Sequence, residues 1–510
     1  MNKAIAFLFS SLIGLQIFAQ DKAQLIDEYM AKAIEEWNIP GAAICIVKDD
    51  QVILNKGYGL VDASSKKKVD EHSLFAIASN TKAFTAAALA QLVEEGKVKW
   101  DDKVRKYIPY FELYDPYVSA EFTIRDLLCH RSGLATFSGD LVWYGTNYSR
   151  EEIIRKAQYL EPVSGFRSAY GYQNIMFIAA GEVVASASGM TWEAYIKEHF
   201  LSPLGMDRTV LSIKDLDNMK NVSAPHNDVE GKNIPIDWVN WDNMGPAGSI
   251  ISSVNDLSFW LRMQLNKGTW KDKEFFSQAS SHEMWTAHTP KKLSGFHTSN
   301  FPSKHFSAYG LGWDLYDLHG KMVVNHGGGY DGFISHTALV PEENFGFVIL
   351  TNNNTYFPWA MQYHILNTFY GNEDGDAFMQ TMLTYKKEDE KEKIKNEEVI
   401  KEARAKDTKP SLDLNAYEGI YRCQMYGDVV IKMNGDHLDF DFKPTDLFKG
   451  KLHHWHYDTF RLEWDQQQML PKGMAQFILD ANGQISELRI DVPNPDFDFT
   501  ELKLMRVSEE

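Results

Sequence analysis

"IASNTKAFTAAALAQLVEEGK", residues 77–97, reads as one helix. Ser79 stands in the N-cap position, the body is alanine-rich, and Gly96 supplies the C-terminal stop. Positions i and i+3 of a helix share a face, so the Ser79 hydroxyl and the Lys82 amine can approach hydrogen-bonding distance. An amine in that place can activate a serine as a nucleophile. A capping serine followed by a solvated lysine fits the same residues, and Ser-x-x-Lys recurs at Ser64 to Lys67 and Ser65 to Lys68, within "SSKKK". The motif takes its meaning from the rest of the chain.

Outward from this helix, "AQLIDEYMAKAIEEW" (residues 23–37) has helical period, and "GAAICIVKDDQVILNKGYGL" (41–60) predicts two strands around the turn "KDD". Helices are expected at Ile124–His130, Arg150–Tyr159, Asn174–Ala187 and Trp192–Phe200. Strands return at "KMVVNH" (321–326), "SHTALVP" (335–341) and "FGFVILTN" (345–352). Early and late strands with helices between them predict one sheet assembled from both ends of a mixed α/β (α+β) domain.

The chain has 510 residues, 44% of them hydrophobic, enough for several cores. Its 52 basic and 70 acidic residues leave a formal net charge of −18, which argues against nucleic acid or an anionic membrane as partner, since phosphates need a positive surface. The start, "MNKAIAFLFSSLIGLQIFAQ", carries Lys3 and an apolar run from Ala4 to Ala19. That run is short for a membrane span of about 20 residues and matches a secretory signal at residues 1–19, cleaved after Ala19. The expectation is a periplasmic or secreted protein with no stable membrane span after cleavage. Cys45, Cys129 and Cys423 are too scattered for a disulfide framework or a zinc site, and no metal or cofactor is expected.

From Tyr385 to Pro410 charges of both signs dominate, as in a solvated helix or linker. Beyond it, alternating runs are broken by Asn434-Gly435 and Asn482-Gly483, pairs that favour tight hairpins because both turn positions need positive φ. The tail therefore reads as a small antiparallel barrel or sandwich. Its "HHWH" (His453, His454, His456) fits a strand's period-two exposure better than a metal site. The expected domains are 20–375, a charged helical linker at 376–411, and an all-β domain at 412–510.

Two further stretches bear on chemistry. In "FRSAYGYQNIMFIAAGEVV", Tyr172 and Asn174 directly precede an apolar helix, where Asn174 can serve as a cap and Tyr172 as a half-buried aromatic. In "VVNHGGGYDGFISH", a formal Gly-x-Gly-x-x-Gly (Gly327, Gly329, Gly332) lies between strand-like runs, with no Rossmann unit around it. Glycines there let the backbone come close to a ligand, as on an edge strand presenting N–H groups to an acyl group, with His326 at its start; a bulged turn is the alternative. No Gly-x-Ser-x-Gly elbow, phosphate-binding lysine loop or His-Glu-x-x-His occurs.

Taken in order, Ser79-x-x-Lys82, Tyr172-x-Asn174 and His326-x-Gly328 resemble the three motifs of serine beta-lactamases and penicillin-binding proteins, in the class C and S12-like peptidase branch. "TIRDLLCHRSGL", "GPAGSIISSVNDLSFWL" and "YGLGW" resemble further segments of that branch, and the likeness runs from about Ala23 to Tyr370. "YEGIYR" and "LHHWHYDTFRLEW" resemble the lipocalin-like domain appended to some members.

The resemblance implies a beta-lactamase-like domain, an antiparallel sheet flanked by helices, followed by the small barrel. It implies a serine hydrolase forming an acyl-enzyme on Ser79, with Lys82 and Tyr172 sharing the proton and Asn174 orienting the amine or substrate amide. The oxyanion would be held by the N–H groups of Ser79 and Gly329, beside Gly328. His326 departs from the lysine common there and holds a carboxylate less well when neutral. The expected substrates are small peptides or amides, D-residues included. Esters, beta-lactams, or an idle penicillin-binding or sensor protein on the same scaffold are the alternatives, and an oligomer is compatible with all of them.

Overall fold

Two segments far apart in the chain build one sheet. The computed structural model describes residues 2–370, 375–466, 470–494 and 496–507, with side chains from residue 19 onward. The side chains of the expected signal segment up to residue 18 thus lie outside the described residues, as do the last three residues of the expected all-β domain. By contacts the chain forms two units, residues 1–99, 187–238 and 245–387, and residues 100–186, 239–244 and 388–510.

The first unit holds an 8-stranded antiparallel sheet. Its strands are β1 (Gly41–Lys48), β2 (Gln51–Gly59), β3 (Thr289–Lys291), β4 (Ser307–Tyr309), β5 (Asp314–Leu318), β6 (Lys321–Tyr330), β7 (Phe333–Val340) and β8 (Phe345–Thr351). They lie in the order β2-β1-β8-β7-β6-β5-β4-β3. β1 pairs with β8 from Ala42↔Thr351 to Lys48↔Phe345, so the early and late apolar runs meet as expected. Both runs are buried, apart from half-buried Lys48 at the end of β1, because each has a strand on either side and covered faces, whereas edge strand β2 is exposed or half-buried except at Tyr58.

Period two sorts the side chains between the faces. Ala42, Ile44, Ile46, Val323, Ala338, Val340 and Phe347 join Ile26 and Met30 of helix α1 (Asn2–Glu36) and Met361 and Ile365 of a late helix, Phe357–Tyr370, in one core. Burying each of the Ile, Val, Met and Phe side chains is worth about 1.5–3 kcal/mol. The other face receives Val254–Leu265 and the turn that carries Ser79.

Helix α2 spans Thr81–Glu94 and is buried from Thr81 to Ala90, which accounts for its alanines: small side chains let neighbours approach on every side. Ser79 is not its N-cap. It sits in a preceding 3₁₀ turn, Ala78–Asn80, and Asn80 takes the cap position. The chain reverses at Ala78, whose φ is +46°, and that turn displaces the helix start. Glycine strand β6 is likewise not an edge strand, because β7 and β5 flank it. β5 ends at the pair Asp314↔Asn325, however, so residues 326–330 have only β7 beside them.

In the second unit the expected Ile124–His130 helix stops at Leu127, and His130 adopts φ +55°. The expected Arg150–Tyr159 helix is α-helical to Lys156 and ends in a 3₁₀ turn, Ala157–Tyr159, and Asn174–Ser188 is helical one residue beyond the expected end. In the first unit, Trp192–Ile196 continues into a π-helical turn, Lys197–Leu201. The charged run lies on helix Gly375–Glu402 as far as Glu402 and leaves the helix over residues 403–410; buried Phe378, Met379, Met382 and Leu383 anchor the helix at its start.

The tail is a closed barrel of strands β9 (Gly419–Cys423), β10 (Gly427–Asn434), β11 (His437–Phe442), β12 (Lys449–His456), β13 (Thr459–Trp464), β14 (Gly473–Leu479), β15 (Ile485–Asp491) and β16 (Leu504–Arg506). Hairpins do turn at Gly435 (φ +63°) and Gly483 (φ +75°), but Asn434 and Asn482 lack the positive φ expected of both turn positions: Asn434 still pairs with His437, so Gly435 and Asp436 form that tip, and the second loop runs over residues 480–484. Closure rests on β16, which pairs with both β9 and β15. Buried Tyr421, Phe440, Phe460, Trp464, Phe477 and Leu488 occupy the barrel's core.

Candidate active site

The Ser79 turn is pinned to the sheet by a short polar chain. Asn80 Nδ2 donates to Ser335 Oγ at 2.8 Å, and Ser335 Oγ donates to Ile77 O at 2.7 Å. Ile77 N in turn donates to Ile250 O at 2.9 Å. Between these anchors Ala78 holds a backbone conformation unfavourable for a residue with a Cβ, the kind of local strain that persists only where surroundings enforce it.

One helical turn on, Lys82 Nζ donates to Ser79 Oγ at 2.9 Å and to Ala247 O at 2.9 Å. Lys82 is fully buried. Ala247 belongs to the short turn Gly245–Gly248, itself tied to α2 by Thr85 Oγ1 donating to Pro246 O at 2.7 Å. The amine is thus set against the serine oxygen by backbone on one side and by its own helix on the other.

The glycine strand approaches from the sheet. A Cβ on Gly328 would lie 2.4 Å from Ile77 O, 2.5 Å from Ser335 Oγ and 3.0 Å from Ser79 N, so only glycine fits. Gly329, one residue on, is exposed. His326 is buried, with Nε2 2.7 Å from Tyr309 Oη and Nδ1 2.6 Å from Gly327 O. The carbonyl requires a proton on Nδ1, so Nε2 accepts from the tyrosine. Burial, with the charge of Lys82 adding to it, pushes the ring down to about 4, and at neutral pH it carries no charge.

The second motif belongs to the second unit. His130, from "LLCHRSGL", accepts from Gln173 N on Nδ1 at 3.0 Å, takes Gly171 N on its carbonyl at 3.0 Å, and lies 4.2 Å from the Tyr172 ring. Phe137 N donates to Tyr172 O at 2.9 Å. Asn174 Nδ2 donates to Asp140 Oδ2 at 2.7 Å, while Trp143 Nε1 donates to Asp140 Oδ1 at 2.8 Å. Asn174 is therefore oriented by a buried carboxylate.

Ser79, Lys82, His326, Gly328 and Gly329 thus gather in the first unit, and Tyr172 and Asn174 lie in the second. Sequence reading did not single out Asn80, Ser335, Ala247 or Asp140. Asn80 and Ser335 flank recognised motifs, but only strand register reveals their pairing. Among the described residues no group of three or more His, Cys, Asp or Glu side chains is arranged for a metal ion.

Comparison with known proteins adds a second line of evidence. Residues 23–363 match the family model described as Beta-lactamase, and residues 403–506 match a Domain of unknown function (DUF3471). The chain is 31% identical over 348 residues to Unguisins hydrolase ungD of Aspergillus violaceofuscus, covering 63% of this chain and 60% of that protein. It is 30% identical over 354 residues to Protein flp of Staphylococcus aureus, covering 68% of this chain and 66% of that one. The chain therefore spans less than two thirds of the length of either relative. In fold it resembles the octameric penicillin-binding protein homologue from Pyrococcus abyssi, with a TM-score of 0.61 and 22% identity over 95% of this chain and 99% of that one.

Proposed function

Because this chain belongs to the beta-lactamase family of serine hydrolases, we propose that it hydrolyses amide bonds of small peptides, D-residues included, through an acyl-enzyme on Ser79. The observation that carries the proposal is the 2.9 Å contact between the buried Lys82 amine and the Ser79 hydroxyl. In its neutral form the amine takes the hydroxyl proton as Oγ attacks the carbonyl carbon. The oxyanion formed is held by the N–H groups of Ser79 and Gly329. The C–N bond then breaks, the leaving amine carries the proton away, and water hydrolyses the ester. Tyr172 is assigned the relay of that proton and Asn174 the orientation of the substrate amide, both from the motif they form.

Peptide amides are favoured over beta-lactams by His326, which is neutral and has both ring nitrogens engaged. It supplies no fixed positive charge for a lactam carboxylate. The name of the Aspergillus relative supports hydrolysis as the reaction class. The apolar run from Ala4 to Ala19 supports export to the periplasm or beyond.

A fluorophosphonate probe tests the nucleophile: wild type is labelled and Ser79→Ala is not, whereas equal silence of both ends the enzyme reading. A panel of D- and L-aminoacyl amides, simple esters and nitrocefin then tests the substrate class. Amide turnover exceeding that of esters and nitrocefin in kcat/KM is expected; the reverse order replaces the peptidase reading with an esterase or lactamase.

A further inference from the structure

Behind the glycine strand, on the sheet face turned away from Ser79, lies a cavity of about 330 Å³. Strand alternation fixes its side. A Cβ on Gly328 and the hydroxyl of its partner Ser335 meet the Ser79 turn, so Gly327, Gly329 and His336 turn the other way and line the cavity, which Gly328 and Ser335 also border. Trp359, Gln362 and Tyr363 of the helix Phe357–Tyr370 form its opposite wall.

The cavity is cationic in a protein of net charge −18. Lys291, Lys292 and Lys304 line it with a single carboxylate, Asp314, and Lys291 pairs with that carboxylate. Lys304 is only 7% exposed. Its Nζ stands 3.9 Å from the centre of the Tyr316 ring and 3.5 Å from Tyr363 Oη, and among the described residues it has no ion-pair partner. A buried ammonium without a counter-charge is costly, and methionine would fill the same aromatic cleft without that cost. Burial, and after it the charge of Lys291, lowers Lys304 to about 8; His297 on the same wall is lowered by burial and by Lys304 and Lys291. The charges of Asp314 and Asp317 oppose the shift of Lys304, but Asp314 pairs with Lys291 and Asp317 with His305, so neither forms an ion pair with Lys304.

The floor is open as well. A Cβ on Gly327 would meet His336 Nδ1 at 3.5 Å and one on Gly329 would meet Ile334 Cδ1 at 3.6 Å, ordinary contacts in both cases. Neighbouring atoms do not demand glycine at either position on this side, and what the two glycines preserve is free volume. A cavity of this size holds a small metabolite.

We infer that this reverse-face cavity binds a small organic anion whose carboxylate or phosphate group takes Lys304 as its counter-ion. The inference does not rest on the hydrolase reading, since the site shares no side chain with Ser79, Lys82 or His326.

Isothermal titration of the full chain with succinate and with inorganic phosphate, each against sodium chloride of equal ionic strength, tests it and separates the two anion chemistries. Saturable binding of one of them with a Kd of about 1 mM or tighter is expected. Lys304→Met should weaken it about tenfold or more. Charge reversal at the exposed rim, Lys292→Glu, should weaken it about threefold or more and covers the case in which Lys304→Met does not fold. Absence of saturable binding by both anions, or binding unchanged in whichever of the two variants folds, overturns the inference.

Discussion

Glu501, in the short turn ahead of the strand that closes the barrel, accepts a hydrogen bond from Ser138 Oγ at 2.5 Å and a second from Gly139 N at 3.0 Å. The Tyr426 hydroxyl donates to the same carboxylate. Ser138 and Gly139 run directly into Asp140, which holds Asn174, so the barrel grips the segment that orients the second motif. A methyl on Gly139 would meet Leu160 Cδ1 at 2.7 Å and Ile175 Cδ1 at 2.8 Å, which leaves this segment little freedom to move.

Glu501→Ala should therefore act in two ways. Loss of hydrogen bonds to a charged acceptor lowers stability by about 1.5–3 kcal/mol, read by denaturant melting. Fluorophosphonate labelling should also slow, because the segment that leads into Asp140, the partner of Asn174, is held less firmly. Glu501→Gln keeps the shape and should fall between wild type and alanine on both scales.

Gly328 and Gly329 should respond oppositely to alanine. At Gly328 the new Cβ lies 2.4 Å from a backbone oxygen, and the strand must move off the Ser79 turn. Activity should drop by about 10²-fold or more, the scale of losing an oxyanion donor. At Gly329 the contact is 3.6 Å, and circular dichroism and melting temperature should stay close to wild type.

Lys82→Met preserves most of the buried volume and removes the amine. Labelling of Ser79 should fall by about 10²-fold or more, the usual weight of a general base, while loss of the bonds to Ser79 Oγ and Ala247 O changes the melting temperature modestly. Unchanged labelling would assign the proton to another group.

Two buried histidines set an acid limit. Burial pushes His326 and His336 from 6.5 down to about 4 in the folded chain. Between these values the unfolded chain binds more protons than the folded one, so stability present above about pH 6.5 declines toward pH 4. Melts at pH 7, 5.5 and 4.5 should show that fall, and His336→Asn should make it shallower.

Much of the architecture was legible because its causes are local. Apolar runs at 41–47 and 345–350 mark central strands, and the Asn-Gly pairs at 434–435 and 482–483 mark hairpins because each glycine supplies the positive φ its turn needs. The displaced start of the Ser79 helix was not legible, since the reversal at Ala78 is imposed by the sheet beneath it. Nor was it legible that β5 flanks only the first half of β6 and leaves residues 326–330 beside β7 alone: an isolated glycine run carries no record of its neighbouring strands.

By itself the sequence determined that Ser79 and Lys82 share a helical face, that the body mixes helices with an antiparallel sheet, and that a β-rich tail follows. These rest on spacings of three or four residues and on alternation, which short stretches of backbone enforce. Only the tertiary structure decided that Ser335 braces Asn80, that Tyr309 and Gly327 occupy both nitrogens of His326, and that Lys304 points into a cavity behind the glycine strand. Such meetings depend on strand register across long loops, and a shift of one residue would send each side chain to the opposite face.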